Sequence, residues 1–264
     1  MFLNMIAVTN HDLFESPKAL LTWAYEDAQR FKELEIEFFK NDPYERIIEF
    51  DAAYQREAHR IRFTSEPPTE MRKLASHVIN DLRHSLDQGF VTAAKFFGWE
   101  PSRKERTLLY FPWSKNLRDL TEFRLKGIPE QIHKVIIDAK PYFAQDDGSG
   151  GDDIVRALGS IAGPNKHEVA LASRAFVAIN QMQVLWDGDW RIPYNPWDPL
   201  KEELTLGYFS QGSKGDYNAD VSFLIGFRDI ETLNGRACSD LFSYWGSFAN
   251  HVVKGLERRV IEGG

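Results

Sequence analysis

A dense row of ionisable side chains between residues 76 and 88 offers the clearest candidate chemistry in the chain. Arg83 and Asp87 are four residues apart, so on a helix they lie on one face and can form an ion pair. Both flank the apolar side of that helix, which would bury the pair in part. Two roles follow: a structural bridge that orients the helix, or a functional role in which Arg83 binds an anion or Asp87 positions His167 of a later loop.

A second row in the same segment has the spacing of metal ligands. His77, Asp81 and His84 are separated by four and then three residues, so a helix would direct all three side chains to one side. His167 could supply a fourth ligand. The row points away from the apolar side of the helix, and we therefore expect a solvated polar face with no metal and no other cofactor. A metal-dependent enzyme that uses this row is the alternative.

These side chains need a long helix to position them, and the sequence predicts one at about 70–97. Apolar residues recur at intervals of three and four from Met71 to Phe97, which is typical of a buried helix face. Thr69 suits the N-cap position, and Glu70 suits the first turn, where a negative charge interacts favourably with the helix dipole.

The remaining patterns predict an α+β fold. It has a helical core around the central helix, antiparallel β-hairpins in the N-terminal and C-terminal parts, and a C-terminal amphipathic helix. Further helices are predicted at 16–40, 117–125, 129–138, 152–161 and from Ser239 onward, and strands at 46–51, 55–64, 169–179, 204–210 and 220–227. We expect a single domain covering 1–264, with an alternative boundary near 185 at the start of an irregular Trp- and Pro-rich segment.

Composition excludes several classes of function. The net charge of −7, from 32 basic and 39 acidic residues, disfavours general binding to a nucleic-acid backbone. The one cysteine, Cys238, excludes an internal disulfide and favours a reducing compartment. No segment reads as a signal peptide, and no apolar run approaches the roughly 18 residues of a membrane helix. We therefore expect a cytoplasmic protein without a membrane partner, while a protein partner, an RNA partner and a homodimer all stay open.

The order of four short motifs resembles that of a widespread group of uncharacterised bacterial proteins. These motifs are Pro67-Pro68, Leu82-Arg83-His84-Ser85-Leu86-Asp87, Phe111-Pro112 and Asn165-Lys166-His167. In the group they appear as a double proline, a Leu-Arg-x-x-Leu-Asp helix, a Phe-Pro strand end and an Asn-Lys-His or Asp-Lys-His triplet. Members commonly carry Asp, His and Asn before the Leu-Arg pair, where this chain has His77, Asn80 and Asp81. The resemblance implies a shared helical core and no specific activity.

The helical core of that group is also reminiscent of HEPN-type proteins, a class that contains ribonuclease toxins and antiphage effectors. Arg72 and His77 have the Arg-x-x-x-x-His spacing of the HEPN ribonuclease motif, in which the histidine acts as an acid or base. On a continuous helix, however, two residues five apart are rotated by about 140°. The motif usually has its own polar residue directly after the arginine, and this chain has Lys73 at that position instead. A HEPN-like ribonuclease is therefore an alternative function.

The chain has no phosphate-binding loop, no dinucleotide-binding glycine motif, no Gly-x-Ser-x-Gly and no Cys-x-x-Cys. This lack of catalytic motifs and the abundance of aromatic residues favour a non-enzymatic, helical-core protein that binds a partner or small ligand, in stress or phage defence. Whether the protein is an enzyme stays open. The candidate catalytic residues are Arg83, Asp87 and His167, followed by Arg72 and His77.

Overall fold

The computed structural model describes residues 12–101, 109–145, 150–161, 173–194, 196–198, 201–227, 230–233 and 235–263. The helices in these ranges are α1 (Glu15–Lys40), α2 (Thr69–Phe96), α3 (Leu117–Asp119), α4 (His133–Asp138), α5 (Asp153–Ile161) and α6 (Cys238–Gly263). The strands are β1 (Tyr44–Asp51), β2 (Arg56–Phe63), β3 (Ser173–Trp186), β4 (Trp190–Arg191), β5 (Trp197–Asp198), β6 (Glu203–Phe209) and β7 (Gly215–Phe227). The predicted α+β fold is confirmed.

Helix α2 is the long helix that the apolar periodicity predicts, and its bounds agree with the prediction to within one residue at each end. The side chains at the three-and-four spacing are buried: Met71, Leu74, Ala75, Val78, Ile79, Leu82, Leu86, Phe90 and Ala93. The helix is continuous because no proline interrupts it. Gly98, at φ 87°, follows in the left-handed conformation that glycine adopts readily after a helix.

The chain forms two compact units, and each is assembled from segments that are distant in sequence. The described residues of the first, helical unit lie within 12–30, 73–161 and 239–263, and those of the second, sheet-rich unit lie within 31–72 and 173–238. Helices α1 and α2 therefore contribute residues to both units. The single domain covering 1–264 stays a prediction.

The helical unit buries the apolar stripe of α6 together with that of α2. Gly89 lies at their contact, where a Cβ would be 3.4 Å from Cγ2 of Val253. Trp245 is fully buried, and its indole Nε1 donates a hydrogen bond of 2.7 Å to the backbone oxygen of Ile154 in α5. This bond connects α5 to α6, so that α5 has a defined position in the unit.

The sheet-rich unit contains two antiparallel sheets. Strands β1, β2, β6 and β4 lie side by side in one sheet, and β5 also pairs with β6. Strands β3 and β7 form the second. Apolar side chains of both sheets share one core, centred on Ile61, Val177, Leu204 and Leu206. The two sheets of this unit therefore pack face to face.

Several predicted elements have different partners or bounds in the structure. The sequence predicts that the strands at 204–210 and 220–227 pair with each other as the C-terminal hairpin. Both strands exist, as β6 and β7, but β6 pairs with β2 and β7 pairs with β3. The physical reason is complementarity: β6 places Glu203 opposite Arg62, and the 13-residue β7 matches the 14-residue β3 in length.

Three further segments also differ from the sequence-based expectation. The segment 187–199, predicted to be irregular, contains β4 and β5, which pair with β6. The helix predicted at 117–125 is only α3 followed by a π-helical turn, Leu120–Arg124. The helix predicted at 129–138 begins with a 3-10 turn, Glu130–Ile132, before α4.

Among the described helices, none combines the length and the apolar character needed to cross a membrane.

Candidate anion-binding site

A stripe of polar side chains follows one side of α2 in the helical unit. It consists of Ser76, Asn80, Arg83 and Asp87, spaced by four, three and four residues, which is the spacing of one helix face. Asp87 is buried and the other three are half-buried. Asn80 Nδ2 donates to Ser76 Oγ over 3.5 Å. The stripe is therefore largely enclosed and not a solvated helix surface.

The buried end of this stripe fixes the segment that follows α2. Oδ1 of Asp87 accepts a hydrogen bond of 2.7 Å from the backbone N–H of Phe111. Three residues further on, the backbone N–H of Ser114 donates to the oxygen of Pro141 over 3.1 Å. A buried backbone N–H requires an acceptor, and the carboxylate supplies one. Asp87 thus sets the position of the Phe-Pro segment, residues 111–114.

Arg83 contacts α5. Its Nη1 donates to the backbone oxygen of Gly159 over 3.2 Å. Gly159 also lies against Trp113, because a Cβ at this glycine would overlap the indole ring. We expected Arg83 to pair with Asp87 along α2; instead, the contacts that the structure gives lead from Arg83 to α5 and from Asp87 to Phe111. The physical reason is that tertiary packing places the backbone oxygen of Gly159 beside Arg83 and the backbone N–H of Phe111 beside Asp87.

A second arginine, Arg156, lies on α5 itself, three residues before Gly159. The Nε atom of Arg156 donates to the backbone oxygen of Ser114 over 3.0 Å, and Nη1 donates to Oγ of Ser160 over 2.6 Å. Its guanidinium also lies 4.9 Å from the ring centroid of Phe143, which is cation–π distance. These contacts hold the half-buried guanidinium in one orientation, beside the residue that receives the Arg83 bond.

Positive charge exceeds negative charge at this place. Burial lowers the pKa of Arg156, and the nearby positive charges of Arg124 and Arg83 lower that pKa further, whereas Asp119 raises it. Asp119 Oδ2 lies 3.7 Å from Nε of Arg124 and accepts a 3.1 Å hydrogen bond from the N–H of Lys115. We call Arg83, Arg124 and Arg156 the arginine cluster; the charges of Arg83 and Arg124 both act on Arg156, and Asp119 lies near Arg124 and Arg156.

Three polar atoms beside the cluster are buried without a hydrogen-bond partner among the described residues. They are Oδ1 of Asn80, Nε of Arg83 and Nε1 of Trp113. A buried polar group without a partner costs about 1–3 kcal/mol, so native proteins usually satisfy such groups with water or a ligand. The unpaired Nε of Arg83 is a donor with positive charge, and an anion is its natural partner.

The row formed by His77, Asp81 and His84, which has the spacing of metal ligands, lies beside α1. Asp27 of α1 lies over it, and Oδ2 of Asp27 is 3.2 Å from Nδ1 of His77. Burial raises the pKa of Asp81, while His77 and His84 lower that pKa and Asp27 raises it. The row is therefore partly covered by α1 and is not a freely solvated face. Within the described ranges, no group of three or more His, Cys, Asp or Glu side chains has an arrangement that could hold a metal ion.

The remaining candidates from the sequence do not converge on one site. Nη2 of Arg72 lies 3.4 Å from Oε2 of Glu66, and His77 interacts with Asp27 as described. The triplet Asn165-Lys166-His167 lies outside the described residues, and so does its predicted relation to Asp87. Cys238 is fully buried, and burial raises the pKa of its thiol, the opposite of what a reactive thiol requires.

Sequence reasoning missed Arg156 and Trp113. Arg156 lies four residues before Ser160, the spacing that allows their hydrogen bond within α5. Trp113 directly follows the Phe-Pro motif and faces the one glycine of α5. Arg156 stands out in the sequence as an arginine within the hydrophobic helix α5. Only the folded chain shows that this arginine approaches Arg83.

Comparison of the chain with protein-family models, with curated proteins and with solved structures yields no match.

Proposed function

We propose that the helical unit binds a small phosphate-bearing ligand at the arginine cluster. The observation that carries this proposal is the meeting of Arg83 and Arg156 at adjacent residues of α5, with Nε of Arg83 buried and unpaired. A guanidinium presents several donors in a planar fork that fits the oxygen atoms of a phosphate. The cluster is therefore suited to recognise an oxyanion by shape as well as by charge.

The number of acceptor atoms favours phosphate over carboxylate. Arg83, Arg124 and Arg156 carry three positive charges, and the carboxylates of Asp119 and of Asp87, one helical turn from Arg83, leave an excess of one. A phosphate monoester presents three strong acceptor oxygens, whereas a carboxylate presents two. Phosphate can therefore engage more of the guanidinium donors of the cluster.

The arginines are held in place before any ligand arrives. Gly159 fixes Arg83, and Ser114 and Ser160 fix Arg156. Asp87 holds the segment that carries Ser114. On this proposal Arg83 binds the ligand and Asp87 positions the loop, so the two polar residues of the Leu-Arg-x-x-Leu-Asp motif have separate roles. Fixing both guanidinium groups in advance lowers the entropic cost of binding.

A protein with this function falls in the class of non-enzymatic binding proteins that the sequence favours. The resemblance to the bacterial group stays a prediction. The HEPN-like ribonuclease is not favoured by any specific contact, because Arg72 and His77 each interact with a different carboxylate. A function in stress or phage defence likewise stays a prediction.

Isothermal titration calorimetry at low ionic strength tests the proposal. Phenyl phosphate should bind with a saturable isotherm, and benzoate, which has the same ring and one negative charge, should bind more weakly. Arg83→Gln and Arg124→Gln should each weaken phenyl phosphate binding by about tenfold or more, equivalent to about 1.4 kcal/mol. Arg118→Gln is the matched control: this arginine is exposed, lies in the same segment as Arg124 and pairs with Glu122.

Two results would contradict the proposal. The first is the absence of saturable phenyl phosphate binding to the wild-type protein. The second is a loss of affinity in Arg118→Gln as large as that in Arg83→Gln, which would indicate general electrostatic attraction. Urea unfolding of each variant shows whether the fold is retained, so that a loss of binding is not confused with a loss of structure.

A further inference from the structure

A cleft of about 560 Å³ lies between α4 and α6 in the helical unit, on residues separate from the arginine cluster. Its volume is within the range of small-molecule sites, about 300–1,000 Å³. The two helices approach closely at one point, where a Cβ at Gly255 would lie only 2.9 Å from Cγ1 of Val135. This close approach lets both helices contribute side chains to the walls of the cleft.

Cationic side chains dominate these walls. Lys134, Lys254, Arg258 and Arg259 line the cleft, and the carboxylates there are Asp138 and Glu262. Both carboxylates are engaged: Asp138 lies 2.8 Å from Nζ of Lys134, and Glu262 lies 3.4 Å from Nη1 of Arg259.

Lys254 and Arg258 form no ion pair with any other residue in the described part of the chain. They are four residues apart, so they project from the same face of α6 within about 6 Å along the helix axis. In a protein with a net charge of −7, this is a local concentration of uncompensated positive charge. Asn250 and Ser247 continue the same face toward the other end of the cleft with neutral hydrogen-bonding groups.

We propose that the α4–α6 cleft is a second anion-binding site, which takes a nucleoside diphosphate. Lys254 and Arg258, one helical turn apart, bind the two linked phosphate groups. Asn250 and Ser247 supply hydrogen bonds to the sugar or base. The observation is independent of the arginine cluster, and neither site requires the other.

The alternative role for the two cations is purely structural. In such a role the long apolar stems of the two side chains would cover part of the surface of α6 while their charges stay in water. In that case their removal would change stability and leave ligand affinity unaltered. Both side chains are exposed, so their replacement preserves the packed face of α6 and separates the two roles cleanly.

The experiment is a titration of the 264-residue chain with ADP and, separately, with inorganic pyrophosphate, at low and at near-physiological salt. Because ADP also carries phosphate groups that the proposed arginine-cluster site would bind, the titrations use the Arg83→Gln/Arg124→Gln background, in which ADP should bind the cleft with one-to-one stoichiometry. The double variant Lys254→Gln/Arg258→Gln should weaken ADP binding at least tenfold and pyrophosphate binding to a similar degree. The control, Lys95→Gln/Arg118→Gln, removes the same charge from exposed positions outside the cleft and should stay within twofold of wild type.

A variant of the other site separates the two proposals. Arg83→Gln/Arg124→Gln should retain ADP binding, whatever the outcome for phenyl phosphate. The cleft proposal is overturned if the Arg83→Gln/Arg124→Gln protein shows no saturable ADP binding, or if adding the cleft substitutions to it leaves the ADP affinity unchanged. It is also overturned if both charge-reducing double variants lose affinity equally, which would show attraction by net charge alone.

Discussion

The carboxylate of Asp87 and the backbone N–H of Phe111 are joined by a buried hydrogen bond of 2.7 Å. This single contact connects the end of the Leu-Arg-x-x-Leu-Asp motif on α2 with the Phe-Pro motif that follows it 24 residues later in the chain. Neither motif has an evident role by itself. Their contact gives both a structural purpose, because it positions the segment on which Arg156 rests.

Replacing Asp87 by alanine should destabilise the protein by about 1.5–3 kcal/mol, the usual contribution of a hydrogen bond to a charged group. The buried N–H of Phe111 would lose the acceptor that the structure gives it. Asp87→Asn keeps one carbonyl oxygen at the same place and should lose clearly less. Urea denaturation monitored by circular dichroism measures both free energies of unfolding. A loss below about 0.5 kcal/mol for Asp87→Ala would show that the hydrogen bond is unimportant.

Gly159→Ala should destabilise the protein by about 1–3 kcal/mol, the range for inserting a methyl group into a packed site. The added Cβ would overlap the indole ring of Trp113. Gly246→Ala is the matched control, since Gly246 is also helical and has nothing within 4 Å of the added Cβ. That control should stabilise the protein by about 0.5–1 kcal/mol. Equal effects of the two substitutions would contradict the described packing of α5.

Asp81→Asn should leave the protein at least as stable as wild type at pH 8. Burial raises the pKa of Asp81 above its ordinary value of 3.8, so the folded state retains the proton more strongly than the unfolded state. Wild-type stability relative to the variant is therefore greatest below pH 3.8 and falls as the pH rises from 3.8 through the raised pKa. Urea titrations from pH 3.5 to pH 8 measure this difference. A wild-type advantage that grows with rising pH would refute it. Glu26→Gln, at an exposed position on α1, is the control.

His59 should make the stability of the protein sensitive to mild acid. Burial lowers the pKa of His59 below 6.5, and the negative charge of Glu57 partly opposes this. Nδ1 of His59 lies 3.1 Å from the hydroxyl of Tyr217, and Nε2 is buried without a partner among the described residues. The unfolded chain therefore binds a proton first as the pH falls, and the stabilisation that neutral His59 contributes above pH 6.5 is lost between 6.5 and its lowered pKa.

The measurement compares His59→Gln with His251→Gln, which replaces an exposed histidine of α6. Between pH 7.5 and pH 5 the wild-type protein and His251→Gln should lose more unfolding free energy than His59→Gln does. The absolute stability of His59→Gln will also be lower, because the ring lies 4.5 Å from that of Phe209, but the pH dependence is the decisive reading. Identical pH profiles for all three proteins would show that His59 does not titrate differently on folding.

The long helix α2 illustrates how far sequence alone determines this protein. Its bounds and its buried face follow from apolar residues at intervals of three and four, because local periodicity specifies which side of a helix leaves water. The same holds for α1, for the β1–β2 hairpin and for the buried stripe of α6. Each of these elements is decided by residues that are close together in the chain.

The tertiary structure decided which distant groups meet. Strands β6 and β7 are adjacent in sequence but pair with β2 and β3, because strand pairing depends on matching partners elsewhere in the chain. Arg83 and Asp87 have the spacing of an ion pair. In the folded chain, however, Arg83 donates to the backbone oxygen of Gly159, and Asp87 accepts from the backbone N–H of Phe111. The arginine cluster arises in the same way: the packing of α5 brings Arg156 near Arg83, and no local pattern in the sequence carries that information.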